Sequence, residues 1–299
     1  MTRVAVTGAT GFIGRHVAAA LAARGNEVIA VKRPFTASLA STLARVDAVV
    51  HLAGVVAAVR DSEFFSANVA ATRIVADAAR AAGARFVHVS SLAAAGPSTP
   101  STPHREGDPM HPITAYGRSK LEGEQVVSGT AGLRWIVLRP GVVYGPGDRA
   151  LRPLFRLASA GVMPLVGNLD ASYTFIYVDD VVRAIVAAVD SNIEGESFYV
   201  GHPQPASARD VANAVRAAIP RSVALVRVPM PLLRVAAAVG DAGEWLTGRP
   251  WPLNGRRFAE MAAPGFVCRV DRLRDRLGIV AQIDWREGIG RSAAWYTRG

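Results

Sequence analysis

Two residues four positions apart, Tyr116 and Lys120, share one face if the chain there is helical. A free phenol has a pKa of about 10 and is a poor base at neutral pH. A nearby ammonium favours the phenolate and lowers that value. A tyrosine so tuned takes a proton from an alcohol or gives one to a carbonyl. Upstream, the run Phe86-Val-His-Val-Ser90-Ser91 has the composition of a buried strand and ends in two hydroxyls. A serine at a strand end can hold the same substrate oxygen in place. Pairs of the Tyr-x3-Lys kind are common on helix faces, so the reading depends on what accompanies them.

The companion is a glycine-rich turn, Val4-Ala-Val-Thr-Gly8-Ala-Thr10-Gly11-Phe12-Ile13-Gly14, which follows a strand pattern and opens a helical one. Gly8 permits the tight turn, Gly11 a close approach of backbone to pyrophosphate, and Gly14 close packing of helix on sheet. The free N–H groups of the helix start, over Thr10, Phe12 and Ile13, favour an anion. An Asp or Glu at the end of the second strand would bind the ribose hydroxyls of NAD(H). Lys32 and Arg33 stand there instead. Two cations suit a 2′-phosphate, which favours NADP(H) over NAD(H); the alternative is a solvated basic strand end.

These groups need a frame to bring them together. Apolar runs over 3–7, 27–32, 48–52, 85–90 and 134–139 read as strands, and 12–24, 37–45, 61–82 and 114–128 as helices between them. Strands that are apolar on both faces and separated by helices form a parallel sheet covered on both sides, an α/β doubly wound arrangement. Gly25 and Gly83 mark helix ends. Further on, 150–160 reads as a helix, 172–178 as a strand, 179–189 as a helix and 197–200 as a last strand. From Gly201 the prolines at 203, 205, 220, 229, 231, 250, 252 and 264 predict short helices separated by loops. The expected division is a dinucleotide-binding part over 1–165, to which 174–200 returns, and a smaller substrate-binding region over 166–173 and 201–299.

Composition narrows the function classes. Half of the 299 residues are apolar and 19% are charged, enough for a large core. A single cysteine, Cys268, excludes a disulfide framework and a multi-cysteine metal site. It reads as a small buried apolar residue. The longest apolar stretch, 48–59, is too short to span a bilayer of roughly 30 Å. The chain enters a strand pattern directly after Met-Thr-Arg, which predicts no secretory signal and a cytoplasmic protein. The net charge of +10 is spread along the chain without a basic block, which argues against nucleic acid as a partner. Of 34 basic residues only Lys32 and Lys120 are lysines. His16, His51 and His88 read as packed or structural residues, since their spacing gives no ligand cluster, and no metal site is expected.

Taken together, the residues resemble the extended short-chain dehydrogenase/reductase family, in its NAD-dependent epimerase/dehydratase branch. The resemblance rests on 7–14, Asp47-Ala-Val-Val-His-Leu52-Ala53-Gly54, Asn68-Val69, Val89-Ser-Ser91, 116–120, Leu138-Arg-Pro140-Gly-Val142-Val143-Tyr-Gly-Pro146 and Phe175-Ile-Tyr-Val-Asp-Asp180. It implies a Rossmann-type domain with a smaller C-terminal substrate region. By the same resemblance, Tyr116 is the catalytic acid/base, Lys120 binds the nicotinamide ribose and tunes Tyr116, and Ser91 positions the substrate. Leu52, Ala53 and Gly54 line the cofactor with Val89, and Pro140, Val142 and Val143 lie near the nicotinamide. Asn68 is either near the active site or a backbone-bonding residue. A homodimer through two helices of the sheet domain is implied as well.

Three departures shape the functional expectation. Only 14 residues lie between Lys32 and Asp47, room for one helix, so the third strand of the family is expected to be missing. An arginine that grips a substrate diphosphate in nucleotide-sugar epimerases is replaced by Tyr173, with Arg149, Arg152 or Arg156 as possible substitutes. The acidic pair of the dehydratases is replaced by Leu92 and Ala93. The leading expectation is hydride transfer at a secondary alcohol or ketone of a sugar or nucleotide-sugar. The alternatives are a carbonyl reductase for a non-nucleotide ketone, and a non-catalytic dinucleotide sensor. The proline-rich segment 97–112, with His104 and His111, reads either as a loop closing over substrate or as a plain surface loop. The C-terminal tryptophans 245, 251, 285 and 295 read as packing residues, with one free to line a pocket.

Overall fold

The structure, a computed structural model, describes residues 1–36 and 38–298. Ala37, where the second helix was expected to begin, lies outside the described residues. In chain order the first half comprises β1 (Arg3–Thr7), α1 (Phe12–Ala23), β2 (Glu27–Val31), α2 (Ser38–Leu43), β3 (Ala48–His51), α3 (Asp61–Phe65), a π-helical turn (Ser66–Ala70), α4 (Ala71–Ala81), β4 (Arg85–Val89), a 3-10 turn (Leu92–Ala94), α5 (Ala115–Gly129) and β5 (Arg134–Pro140). There follow β6 (Val142–Tyr144), α6 (Arg152–Ser159), β7 (Val162–Leu165), β8 (Ser172–Tyr173), β9 (Phe175–Tyr177), α7 (Val178–Asp190) and β10 (Glu196–Val200). The chain ends with β11 (Ala206–Ser207), α8 (Ala208–Ala218), β12 (Ala224–Arg227), α9 (Met230–Thr247), α10 (Gly255–Ala262), β13 (Gly265–Phe266), α11 (Asp271–Leu277) and α12 (Trp285–Arg298).

Six strands form one parallel sheet in the order β10-β5-β4-β3-β1-β2. On one face α1 and α7 bury Val17, Leu21, Val181 and Ile185 against Val4, Val50, Val87 and Leu138. On the other, α2, α4 and α5 bury Leu43, Val75 and Val127 against Ala5, Val49, Phe86 and Val137. Burial on both faces is why these strands are apolar without alternation. β2 is the sheet's edge, and among the described residues α2 is the only regular element between β2 and β3. The third strand of the family pattern is thus missing, as the short spacing requires.

A second core lies beside the sheet, where Tyr144, Phe155, Met163, Phe175, Val211, Val215, Trp285 and Tyr296 pack together. Two features depart from expectation. α9 is 18 residues long, although prolines predicted short helices there. Pro229 and Pro231 fall at its N-cap and in its first turn, where a missing N–H breaks no helical hydrogen bond. Leu273 of α11 is buried in the core of the large sheet, so the chain crosses back over the division drawn at residue 201.

Candidate active site

The glycine turn is built as its residue types require. Gly8 has φ +71°, and a Cβ there would lie 2.9 Å from the Ala53 nitrogen. A Cβ on Gly14 would lie 2.0 Å from the Gly8 carbonyl oxygen, so only glycine lets α1 approach this closely. Gly11 is the N-cap of α1 and no side chain caps the helix, which leaves its first-turn N–H groups without a side-chain partner. Thr10 and Gly11 are exposed. Lys32 is exposed at the carboxyl end of β2, and the Arg33 guanidinium donates to the Gly54 carbonyl at 3.3 Å. Leu52, Ala53 and Gly54 follow β3 at the neighbouring strand end, with the Ala53 N–H donating to Thr7 Oγ1 at 3.2 Å. A cradle with no room for side chains, a bare helix N-terminus and two cations at the next strand end fit a phosphorylated dinucleotide.

α5 begins at Thr114, whose Oγ1 accepts from the Gly117 N–H at 3.1 Å. A Cβ on Gly117 would meet the Ala93 carbonyl oxygen at 2.5 Å. This close approach of α5 to the turn after β4 brings Tyr116 and Ser91 to the wall of one cavity. Burial raises the Tyr116 phenol above its ordinary value of 10.0; the Ser91 hydroxyl opposes this, Glu260 adds to it and Arg257 lowers it. Lys120 is buried and donates to the Val89 carbonyl at 2.8 Å. Burial pushes its ammonium down to about 8, opposed by Glu124 one turn further along. The charges acting on the Tyr116 phenol come from α10, while the Lys120 ammonium is held at the end of β4 by the Val89 carbonyl.

Ser91 and Tyr116 open into a cavity of about 510 Å³. Val56, Ala57, Ala58 and Phe64 form one wall, Leu92, Ala93, Gly141 and Val142 another, and Tyr173, Pro250, Trp251, Pro252 and Phe266 a third. Its polar groups beyond Ser91 and Tyr116 are Thr114, Asn254, Arg256, Arg257 and Glu260. Arg256 is paired with Glu244 at 2.7 Å and Asp61 at 3.3 Å, and Arg257 with Glu260 at 3.5 Å. Burial raises the Glu260 carboxyl above its usual range. Tyr173 stacks on Phe266, with ring centroids 6.3 Å apart.

Several predicted residues lie elsewhere. Asn68 does not line the cavity. Buried in the π-helical turn, it accepts from the Val55 N–H at 2.8 Å and donates to the Val55 carbonyl and Ser119 Oγ. Of the two readings of Asn68, these bonds fit the backbone-bonding one, a clamp on the loop that carries Val56 and Ala57. Pro140 is buried and Val143 half-buried beside Val142, which does line the cavity. Arg149, Arg152 and Arg156 are not among its lining residues, so the arginines there come from α10. Segment 97–112 is not a free lid: Ser98 Oγ donates to the Val267 carbonyl at 2.7 Å, and the His104 and Arg269 backbones are bonded to this same stretch.

His51 bridges Thr7 Oγ1 at 2.7 Å and Thr72 Oγ1 at 3.1 Å, and burial pushes its imidazole down to about 3. It stacks on the buried His88. Cys268 is buried too, with its thiol pushed up to about 12. Among the described residues no group of three or more His, Cys, Asp or Glu is placed to hold a metal. Trp285 is packed and Trp251 lines the cavity, but Trp245 is largely exposed, contrary to the packing expected of it. Sequence reasoning missed Arg256, Arg257 and Glu260 because they lie some 140 residues from Tyr116 on a helix with no motif of its own.

Sheet order and glycine turn together define a Rossmann-type α/β protein with a substrate region laid over the strand ends. Residues 4–201 match the NAD dependent epimerase/dehydratase family. A ceramide reductase of Caulobacter vibrioides is 33% identical over 98% of this chain and 94% of its own. A 2-alkyl-3-oxoalkanoate reductase of Stenotrophomonas maltophilia is 28% identical over 98% of both chains. Among solved structures, the UDP-glucuronic acid 4-epimerase of Bacillus cereus with UDP-glucuronic acid and NAD superposes with a TM-score of 0.81 at 20% identity, over 99% of each chain. The chain belongs to the NAD dependent epimerase/dehydratase family and is an oxidoreductase-type enzyme of the extended short-chain dehydrogenase/reductase class.

Proposed function

We propose that the protein is an NADP(H)-dependent carbonyl reductase for a ketone carried on a largely apolar, lipid-like substrate. The observation that carries this reading is the cavity: the Ser91–Tyr116 pair faces a space walled mainly by aliphatic and aromatic side chains. A nucleotide-sugar would need cationic groups for its diphosphate. Tyr173 takes the place of the family arginine, and the two arginines at the cavity are already paired with carboxylates. The names of the two reductases similar to this chain, for ceramide and for a 2-alkyl-3-oxoalkanoate, agree with an alkyl-bearing substrate.

Gly8, Thr10, Gly11, Phe12, Ile13 and Gly14 would hold the dinucleotide's phosphates, Leu52, Ala53 and Gly54 its flank, and Lys32 and Arg33 its 2′-phosphate. Val89, Lys120, Pro140, Val142 and Val143 would lie at its reactive end. When bound, it supplies the hydride that forms the new C–H bond. Ser91 and Tyr116 hold the carbonyl oxygen, and the phenol gives up its proton to form the new O–H bond. The raised pKa leaves the phenol protonated at neutral pH, the form that carbonyl reduction uses.

NADPH consumption measured with a long-chain 3-ketone, beside a titration with UDP, tests this reading. Consumption of NADPH with the ketone and no saturable binding of UDP are expected. Tight UDP binding with no turnover of apolar ketones would restore the nucleotide-sugar expectation.

A further inference from the structure

Helix α9 is turned inside out relative to an ordinary surface helix. Its buried face is made of Leu233, Ala237, Gly240, Gly243 and Glu244. The glycines are needed there: a Cβ on Gly240 would lie 1.8 Å from the Leu253 carbonyl oxygen, and one on Gly243 2.3 Å from the Trp251 ring. The large apolar side chains face outward, with Leu232 61%, Val235 62%, Val239 56%, Trp245 82% and Leu246 73% exposed. Leu232, Val235, Val239 and Leu246 follow one another at helical spacings of 3, 4 and 7, forming a stripe along a helix of about 27 Å. An exposed apolar stripe of this size marks a contact surface.

Charge says what kind of surface it meets. Of the two acids of α9, Glu244 is buried and binds Trp251, Asn254 and Arg256, whereas Asp241 is exposed and its carboxylate accepts from the Gly255 N–H. Arg234 and Arg249 are exposed as well and form no ion pair among the described residues, so the cations outnumber the one exposed acid. The whole chain carries +10. A second copy carrying the same net charge would be repelled, whereas an anionic bilayer would be attracted. Indole at the edge of an apolar stripe, flanked by arginine, is also the composition of a helix lying in a lipid interface. Among the described residues no helix is long and apolar enough to cross a membrane, so any engagement is peripheral.

The stripe leads to the site. The segment that follows α9 places Pro250, Trp251 and Pro252 in the cavity wall, so one loop joins the exposed end of α9 to the mouth of the cavity. We propose that α9 docks the enzyme on an anionic phospholipid surface, with Leu232, Val235, Val239, Trp245 and Leu246 entering the interface and Arg234 and Arg249 meeting the headgroups. The lipid-ketone reading gives this surface its purpose, since a substrate dissolved in the bilayer would then enter beside Trp251.

Flotation of the full-length protein with vesicles tests the proposal without any substrate, so its outcome is independent of the reductase reading. Vesicles of phosphatidylcholine containing phosphatidylglycerol should carry the protein upward, and vesicles of phosphatidylcholine alone should carry much less. The variant Leu232→Ser/Val235→Ser/Leu246→Ser should stay unbound. Arg234→Glu/Arg249→Glu should lose affinity for the anionic vesicles by roughly fivefold or more per charge. Both variants should keep the wild-type thermal unfolding transition, since none of these side chains is buried. A blue shift of Trp245 emission on vesicle addition, absent in Trp245→Phe, would support the same conclusion in the unmutated stripe. Wild-type protein that stays unbound with both kinds of vesicle would overturn the proposal. So would a solution dimer that the serine variant converts to monomer, because the stripe would then belong to a second copy.

Discussion

The two ends of the crevice are made of different material. At the sheet end the cradle over 8–14 is main chain: glycines that exclude side chains, free N–H groups, and a helix pressed onto the turn before it. At the other end the cavity is side chains, gathered from the loop after β3, from β8 and from the loop before α10. A main-chain cradle tolerates little change and serves one ligand shape. A side-chain cavity can be relined without disturbing the sheet, so substrate choice is free to vary there.

Breaking the cradle should have the largest effect. Gly14→Val puts a Cβ 2.0 Å from the Gly8 oxygen, so α1 must lift away from the turn. Loss of measurable cofactor binding and a destabilisation of about 3 kcal/mol in urea unfolding are expected. Next is the charge at the cradle's open end. Lys32→Asp should move the ratio of NADPH to NADH affinity toward NADH on the order of tenfold; equal binding of both cofactors before and after would mean the strand end is merely solvated.

Changes at the side-chain end should be smaller and should spare the cofactor. Trp251→Ala removes a wall of the cavity and should raise KM for an apolar ketone severalfold, with little change in NADPH affinity. The smallest effect is on pH dependence. Reduction needs the protonated phenol, so its rate falls as pH rises through the Tyr116 pKa, which lies above 10.0. Glu260 raises that pKa, so Glu260→Gln should move the alkaline limb of kcat/KM downward by less than about one pH unit. Arg257→Gln should move it upward, because Arg257 lowers the pKa. Limbs that coincide in all three proteins would mean that α10 does not act on the phenol.

What could be read beforehand follows the same division. Gly8, Gly14 and the Tyr116–Lys120 spacing are legible as short local patterns, although Gly8 meets Ala53 and Lys120 meets Val89 far along the chain. The missing edge strand was legible as a length, since 14 residues cannot hold a helix, a strand and a second helix. The walls of the cavity were not legible. Trp251 and Glu260 reach Tyr116 only through the packing of α9 and α10, and nothing in their immediate sequence encodes that approach. The α9 prolines misled for a positional reason, as the first turn of a helix accepts what its interior rejects. The hydrogen bond from Lys120 to the Val89 carbonyl was not legible either, because sharing a helix face with Tyr116 does not say which strand end a buried ammonium meets.

The central claim is that Tyr116, facing an apolar cavity, donates the proton that completes reduction of a ketone. Single-turnover oxidation of NADPH with a long-chain 3-ketone, in wild-type enzyme and in Tyr116→Phe, tests it most directly. The account predicts a rate reduced by roughly 100-fold or more in the phenylalanine variant, with NADPH affinity by fluorescence titration unchanged. Equal rates in the two proteins would contradict it.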